Sequence, residues 1–146
     1  MSKRVIIESP YAGDSPAMTE RNRRYLRRCM RDCLLRGEAP FASHGLYTQA
    51  GVLDDTNHSE RQLGIIMGFA WRDCAHSTVV YEDYGISSGM QLGIDHATES
   101  GCPVERRTIG LDSADMDTAL ECCGCGLQMR HDAASRLFCG DCRAIS

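Results

Sequence analysis

The sequence predicts an α/β protein built on a doubly wound, open parallel sheet of flavodoxin- or Rossmann-like arrangement. Short apolar runs rich in β-branched residues alternate with longer stretches in which apolar residues recur every three or four positions. Glycine or proline separates most of these segments. Alternating strands and helices favour parallel pairing with right-handed crossovers, which places helices on both faces of the sheet.

Four strands and three helices follow from these patterns. The apolar runs predict strands over residues 5–10, 39–42, 78–81 and 103–108. The three-and-four spacing predicts amphipathic helices over residues 19–36, from Asn57 or Ser59 onward, and over residues 88–99. In the second helix we expect a buried apolar stripe, formed by Leu63, Ile66, Met67, Ala70, Trp71 and Cys74.

Length and composition indicate one globular domain with a small appendage. The chain has 146 residues, of which 42% are hydrophobic and 25% charged, and its net charge of -4 argues against a general nucleic-acid binder. Its apolar runs are much shorter than the roughly 20 residues that a membrane helix needs. Because the first four residues lead directly into a strand without a signal-peptide core, we expect a cytoplasmic protein.

The C-terminal part carries the most specific motif of the chain. Two Cys-x2-Cys pairs separated by thirteen residues predict a structural Zn²⁺ site held by Cys122, Cys125, Cys139 and Cys142. A redox dithiol or an iron–sulfur cluster is the alternative for these cysteines. We therefore expect an α/β domain over residues 1–110, a linker over 111–120 and a zinc ribbon over 121–146 that needs its metal to fold. The ribbon has no strong basic patch, so a nucleic acid or protein contact through it has weak support.

The segment after the third strand predicts an anion site. Gly85 and Gly89 permit a tight turn with close backbone approach, and Ser87 or Ser88 can cap the helix that follows. A helix that begins at the carboxyl end of a parallel strand points unpaired N–H groups outward, so a phosphate fits there. Hydride and phosphoryl transfer have less support, because the chain contains neither a GxGxxG nor a Walker A sequence.

Two further candidates flank the other strands. His44 lies in a long loop over residues 43–55, where it either binds a phosphate or a base edge or is satisfied by local backbone. The first helix carries six arginines on its polar face, and only Arg21 lies near enough to the first loop to reach a ligand phosphate. A solvated helix face is the alternative for all six.

The helix after the glycine turn begins with Gly89-Met90-Gln91-Leu92-Gly93. This segment resembles the active-site motif Gly-(Met/Tyr)-Glu-Leu-Gly of the nucleoside 2-deoxyribosyltransferase and nucleotide N-glycosidase superfamily, in which the Glu is the nucleophile. The resemblance extends more loosely from Arg4 to about Gly110, and it is closest to an uncharacterised, often phage-encoded branch. It implies a small-molecule nucleotide or nucleoside ligand, action on its N-glycosidic bond, and the host cytoplasm as the location if a phage encodes the protein.

The resemblance also implies binding residues. The first loop of the superfamily contributes to the nucleoside pocket, which makes Ser9, Tyr11 and Gly13 candidates; a tyrosine on a surface turn is the alternative for Tyr11. Met90 is a candidate as part of the motif. Arg61 belongs to a Glu-Arg pair typical of the branch and is a second phosphate candidate, with a plain salt bridge as the alternative. The superfamily further implies a homo-oligomer in which a neighbouring subunit completes the pocket.

Gln91 stands where the superfamily has its catalytic carboxylate, and an amide cannot supply that negative charge. Three interpretations are open: a displaced carboxylate, a binder such as a sponge or sensor that has lost the chemistry, or an engineered inactivation. Asp95, one helical turn further on, is the nearest replacement unless it is a surface aspartate, and Asp83 is a candidate for orienting the sugar. If the pocket keeps the superfamily's geometry, Gln91→Glu should create or raise N-glycosidase activity. An adaptor that acts through its zinc ribbon would need no pocket.

Overall fold

Strands and helices alternate along the N-terminal part of the chain, as predicted. The computed structural model describes residues 1–111 and the backbone of residues 130–131 and 137–138. The elements are β1 (Lys3–Glu8), α1 (Pro16–Leu35), β2 (Glu38–Phe41), α2 (Ser43–Leu46), α3 (His58–Ala70), β3 (Ser77–Tyr81), α4 (Ser88–Glu99) and β4 (Val104–Arg107). A 3-10 turn over Trp71–Cys74 continues α3. Two further short strands, β5 (Arg130–His131) and β6 (Leu137–Phe138), pair with each other antiparallel.

The first four strands form one parallel sheet in the order β2-β1-β3-β4. The register pairs Ile7 with Val79 and Glu8 with Val80. Because successive residues of a strand point to opposite faces, Ile7 and Val79 face one side of the sheet, while Glu8 and Val80 face the other. This arrangement confirms the predicted α/β fold class with a parallel sheet.

Helix α1 covers one face of the sheet. It begins at Pro16, three residues before the predicted start, because the Ser15 side chain caps it by accepting a hydrogen bond from the Met18 amide and proline suits the first helical turn. Its buried residues pack against the strand residues of the same face, in a core formed by Val5, Ile7, Tyr25, Leu26, Cys29, Cys33, Ala42, Val79 and Tyr81.

Helices α3 and α4 lie on the opposite face. Helix α4 closes a smaller core there, in which Met90 and Ile94 pack with Val80 and Val104. The prediction of a buried stripe on α3 is wrong, because all six of its residues are exposed and Gly68 is the buried residue of the helix. Helix α3 approaches α2 so closely at Gly68 that a Cβ there would collide with Ser43. The Gly68 side of α3 therefore faces inward, and the residues of the predicted stripe lie on its outer side.

The predicted zinc ligands Cys122, Cys125, Cys139 and Cys142 lie outside the described residues, as does most of the predicted linker. The zinc ribbon and the domain boundaries therefore stay predictions. Within the described ranges, no group of three or more His, Cys, Asp or Glu side chains is arranged to hold a metal ion. The helices of the same ranges are all too short or too polar to cross a membrane.

Candidate active site

A cavity of about 400 Å³ lies at the carboxyl end of β1, on the face of the sheet that carries α3 and α4. Its wall is built from the first loop, α2 and the loop after it, the inner side of α3, and the N-terminus of α4. Carboxyl ends of parallel strands are where open α/β sheets bind ligands. Eight residues that the sequence singles out share this wall: Ser9, Tyr11, Gly13, His44, Arg61, Ser88, Gly89 and Met90.

A buried ion pair in the cavity wall joins Glu8 to Arg72. Glu8 is the last residue of β1, and one of its carboxylate oxygens lies 2.9 Å from Nη2 of Arg72. The side chain of Glu8 is 14% exposed and that of Arg72 is 2% exposed. Arg72 also donates to the carbonyl of Gly93 on α4, and its guanidinium packs on the ring of Phe69 at 5.4 Å. The pair thus ties β1, α3 and α4 together beside the cavity.

The carboxyl group of Glu8 is held in an unusual protonation state. Burial raises its pKa from 4.5 to about 7, and the attraction and hydrogen bond of Arg72 only partly oppose this rise. Near neutral pH the group therefore exchanges between its acid and carboxylate forms. A carboxyl group with a pKa close to 7 in a cavity is suited to take up and release a proton.

The packing around this pair leaves one polar atom available. A Cβ at Gly93 would overlap the Glu8 carboxylate, so only glycine lets α4 approach the end of β1 this closely. The buried Nε of Arg72 has no hydrogen-bond partner among the described residues. Buried N–H groups are nearly always paired, so this atom indicates a place for a water molecule or a ligand.

Ser9 and His44 form a second polar pair in the wall. The Ser9 hydroxyl lies 2.8 Å from Nε2 of His44, and Ser9 is buried. Desolvation lowers the pKa of His44 to about 4, so the imidazole is neutral at pH 7. The ring of Tyr11 meets the ring of His44 edge to face, with centroids 5.9 Å apart. This pair offers uncharged hydrogen-bonding groups and an aromatic surface rather than a cation.

A cationic corner of the cavity is formed by Arg61 and the N-terminus of α4. Ser87 caps α4 by accepting from the Met90 amide, which leaves the first N–H groups of the helix, those of Ser88 and Gly89, without partners inside the helix. Nη2 of Arg61 lies 3.9 Å from the position that a Cβ on Gly89 would occupy. Arg61 makes no ion pair with another described residue. The positive end of α4 and the Arg61 guanidinium thus lie at the same corner of the cavity.

Gln91 and Asp95 do not line this cavity. Gln91 is exposed on the outer side of α4, and its amide donates to the Asp95 carboxylate, which is also exposed, at 2.8 Å. The side of α4 that faces the cavity is formed instead by Gly89, Met90 and Gly93.

Arg21, Asp83 and Gly85 also lie outside the cavity lining. Arg21 is buried, stacks on the Tyr84 ring at 4.1 Å and donates to the side chain of Asn22. Asp83 accepts a hydrogen bond from the Tyr25 hydroxyl and others from the backbone amides after β4. Gly85 has a φ of 79°, which supplies the turn between β3 and α4.

Sequence reasoning missed Glu8 and Arg72. The available signal was an acidic residue at the end of an apolar strand, directly before the first loop. Its partner is 64 residues away in the sequence, at the end of a helix whose apolar pattern gave no indication of a buried arginine.

Comparison with known proteins shows to which family the chain belongs. The chain is similar in structure to a 2-deoxyribosyltransferase from the psychrotolerant bacterium Bacillus psychrosaccharolyticus, at 13% sequence identity and a TM-score of 0.49, over 79% of this chain and 81% of that one. No curated protein matches the chain. Residues 3–107 match the model of the family described as Domain of unknown function (DUF7768), and the chain therefore belongs to that family.

Proposed function

We propose that the cavity binds a nucleotide or nucleoside and that the protein hydrolyses its N-glycosidic bond, with Glu8 as the reacting carboxylate. The observation that carries this proposal is the buried Glu8–Arg72 pair, which brings one carboxylate of raised pKa to the wall of the cavity. This carboxylate corresponds to the first of the three interpretations of Gln91, in which the charge has moved to another element.

The size and lining of the cavity suit a nucleoside. Small-molecule sites usually measure about 300 to 1,000 Å³ and combine apolar walls with a few polar groups. Here Leu53, Ile65 and Phe69 offer apolar contact, and Tyr11 and Tyr47 offer rings on which a base can pack. Ser9 and His44 supply neutral hydrogen-bonding groups that can meet a base edge or a sugar hydroxyl.

The cationic corner supports a phosphate on the ligand. Arg61 and the free N–H groups of α4 both attract an anion, and a phosphate between them would relieve their mutual repulsion. A 5′-phosphate at this corner would anchor the nucleoside with its sugar inside the cavity. The preferred ligand in this proposal is therefore a nucleoside monophosphate.

Glu8 then acts as the general base. In its ionised form it accepts a proton from a water molecule whose oxygen bonds to the anomeric carbon, while the base departs with the electron pair of the C–N bond. The proton held by Glu8 then passes to the departing base, which restores the carboxylate. The same negative charge stabilises the positive charge that develops on the sugar, and Arg72 keeps the carboxylate in place.

A panel of nucleoside monophosphates and nucleosides, incubated with the full chain, tests the proposal. Binding is measured by calorimetry and release of free base by chromatography. We expect binding and base release for at least one monophosphate. Absence of binding across the panel would overturn the proposal.

Binding without turnover would favour the second candidate function, a nucleotide-binding sponge or sensor. The observation that favours it is Gln91, which leaves the motif helix without the carboxylate of the superfamily. Glu8 would then have only a structural role, as the ion-pair partner of Arg72.

A further inference from the structure

A second concave space adjoins the cavity. This outer recess measures about 780 Å³ and is lined by the first loop, the N-terminal part of α1, the loop after α2 and the first turn of α3. It shares part of its wall with the cavity, including Tyr11, Leu53, Asp55 and Arg61. A nucleoside monophosphate placed as proposed above extends from the cavity to Arg61 and does not account for the recess.

The ring of Tyr11 separates the two spaces. His44, which lines the cavity and not the recess, meets this ring with centroids 5.9 Å apart. Arg23, which lines the recess and not the cavity, places its guanidinium 5.7 Å from the ring centroid and donates from Nε to the Tyr11 hydroxyl at 3.1 Å. A guanidinium fixed against a tyrosine ring is a group on which nucleobases stack. The recess therefore has its own surface for a base, apart from that of the cavity.

The charges of the recess disfavour a second phosphate. Its described lining carries more carboxyl than guanidinium groups. The carboxyl groups are those of Asp54, Asp55 and Glu60, and the guanidinium groups are those of Arg23 and Arg61. Arg61 already contacts the phosphate in the proposed function, and the Arg23 guanidinium also lies 3.6 Å from a carboxylate of its own helix. A further phosphate in the recess would therefore meet an excess of negative charge.

Asp55 is an acceptor of the recess without a partner in the described part of the chain. The Asp54 carboxylate accepts hydrogen bonds from the amide and the hydroxyl of Thr56, and the Glu60 carboxylate accepts from the Asp54 amide. Asp55, by contrast, makes no hydrogen bond or ion pair with another residue of the described ranges. Its carboxylate is half-buried and suited to accept from sugar hydroxyls, as acidic side chains do in dinucleotide sites. The recess thus suits an uncharged sugar and base.

We infer that the recess binds the second nucleoside of a dinucleoside monophosphate, in which one phosphate joins two nucleosides. The first nucleoside lies in the cavity, and the phosphate lies between Arg61 and the N-terminus of α4. The second sugar then meets Asp55, and its base stacks beside Arg23. A phosphodiester carries a single negative charge, which one arginine and one helix N-terminus can match. This inference rests on the proposed function, because it takes the position of the phosphate from there.

Calorimetric titrations of the full chain with three matched ligands test the inference. For adenosine, cytidine, guanosine and uridine in turn, the ligands are the 5′-monophosphate, the 5′-diphosphate and the 3′–5′ dinucleoside monophosphate. For at least one nucleoside, we expect the dinucleoside monophosphate to bind about tenfold more tightly than the monophosphate. The diphosphate should bind no more tightly than the monophosphate, because its second phosphate would face the carboxylates of the recess.

Asp55→Ala tests the part of the recess in this binding. It should weaken the dinucleoside monophosphate by about tenfold and leave the affinity for the monophosphate within about twofold. The control is Asp73→Ala, which removes an exposed carboxylate outside both spaces and should change neither affinity. Neither carboxylate has a partner among the described residues, so both variants should keep the thermal unfolding transition of the wild type. If Asp55→Ala fails to fold, the isosteric Asp55→Asn takes its place.

The outcomes separate this inference from the proposed function. A dinucleoside monophosphate that binds no more tightly than the monophosphate would overturn the inference and leave the proposed function intact. So would tightest binding of the diphosphate, or equal losses of both other ligands in Asp55→Ala, since Asp55 would then act in the cavity. Absence of binding by all three ligands would overturn the proposed function as well. Binding of the dinucleoside monophosphate alone would support the two-part ligand and contradict the monophosphate as the preferred one.

Discussion

Two carboxyl groups at the same edge of the sheet have opposite environments. On the side covered by α1, Asp83 is half-buried, which raises its pKa, but the hydrogen bonds from the Tyr25 hydroxyl and from the amides of Ile109 and Gly110 outweigh this, and its pKa is lowered. On the side covered by α3 and α4, burial raises the pKa of Glu8 to about 7 and Arg72 only partly compensates. One carboxylate is saturated with donors, and the other faces a cavity.

Polar residues at the carboxyl edge of a parallel sheet therefore do not by themselves mark a site. Asp83 ties β3 to the segment after β4 and has little capacity left for a ligand. On the other side, Nε of Arg72 has no hydrogen-bond partner among the described residues, and Glu8 and Arg61 line the same cavity. The proposed ligand is therefore placed on the side of Glu8.

The largest expected effect comes from Glu8→Gln. Removing the negative charge while keeping the shape should lower the rate of base release by about 1,000-fold or more, with ligand binding retained within a few-fold. Single-turnover measurements of free base give both the rate of base release and the affinity for the ligand. Gln91→Glu is the matched change on the exposed side of α4, and here we expect no gain in rate. A Glu8→Gln protein within about tenfold of the wild-type rate would remove Glu8 from the chemistry.

The raised pKa of Glu8 predicts a stability difference that depends on pH. The folded state holds this proton more tightly than the unfolded state, so the contribution of Glu8 is fully present below pH 4.5 and is lost as the pH rises to about 7. In urea unfolding, the free energy of unfolding of the wild type should fall by about 3 kcal/mol between pH 4.5 and pH 7.5, relative to that of Glu8→Gln. If the stability of the two proteins depended on pH in the same way, the pKa of the Glu8 carboxyl would not be raised in the folded protein.

Gly93→Ala tests the close packing of α4 on Glu8. Alanine is the better helix former, yet the new Cβ would displace the carboxylate, so we expect a net loss of about 1 to 3 kcal/mol in the free energy of unfolding. The same change at Gly89 is the control, since the nearest atom to its Cβ would be Nη2 of Arg61 at 3.9 Å. Gly89→Ala should be neutral or stabilising in the same urea titration. Equal effects at both positions would argue against the contact with Glu8.

Tyr25→Phe probes the saturated carboxylate. It removes the hydroxyl that donates to Asp83 at 2.5 Å, and a buried hydrogen bond to a charged group contributes about 2 kcal/mol. We expect that loss in thermal or chemical unfolding, with nucleotide binding unchanged once the protein is folded. A variant that keeps its stability but binds nucleotide more weakly would move the site to the side of α1.

The sequence was informative wherever local patterns determine structure. The four strands, the three long helices and the parallel sheet follow from periodicity and from turn residues, and eight residues of the cavity wall were named from their loops and from the motif. Which side of α3 is buried could not be predicted from these patterns. Its apolar residues occur on two sides, and only the close contact of Gly68 with Ser43 decides which side faces inward.

The same limit applies to the carboxylates. A motif in one helix drew attention to Gln91 and Asp95, but the packing of the whole domain turns them outward. Glu8 acquires its properties from Arg72 and Gly93, which are distant in the sequence and meet it only in the folded chain. The zinc ligands Cys122, Cys125, Cys139 and Cys142 stay a prediction from spacing alone.

A pair of calorimetric titrations tests whether a phosphorylated nucleoside occupies this cavity. A nucleoside monophosphate and its parent nucleoside are titrated into the wild type, Arg61→Ala and Arg31→Ala, the last being a matched loss of an exposed arginine on α1. We predict that Arg61→Ala weakens the monophosphate by about tenfold and leaves the nucleoside unchanged, while Arg31→Ala affects neither. Equal losses from both arginines, or an unchanged affinity for the monophosphate in Arg61→Ala, would contradict the placement of the phosphate between Arg61 and α4.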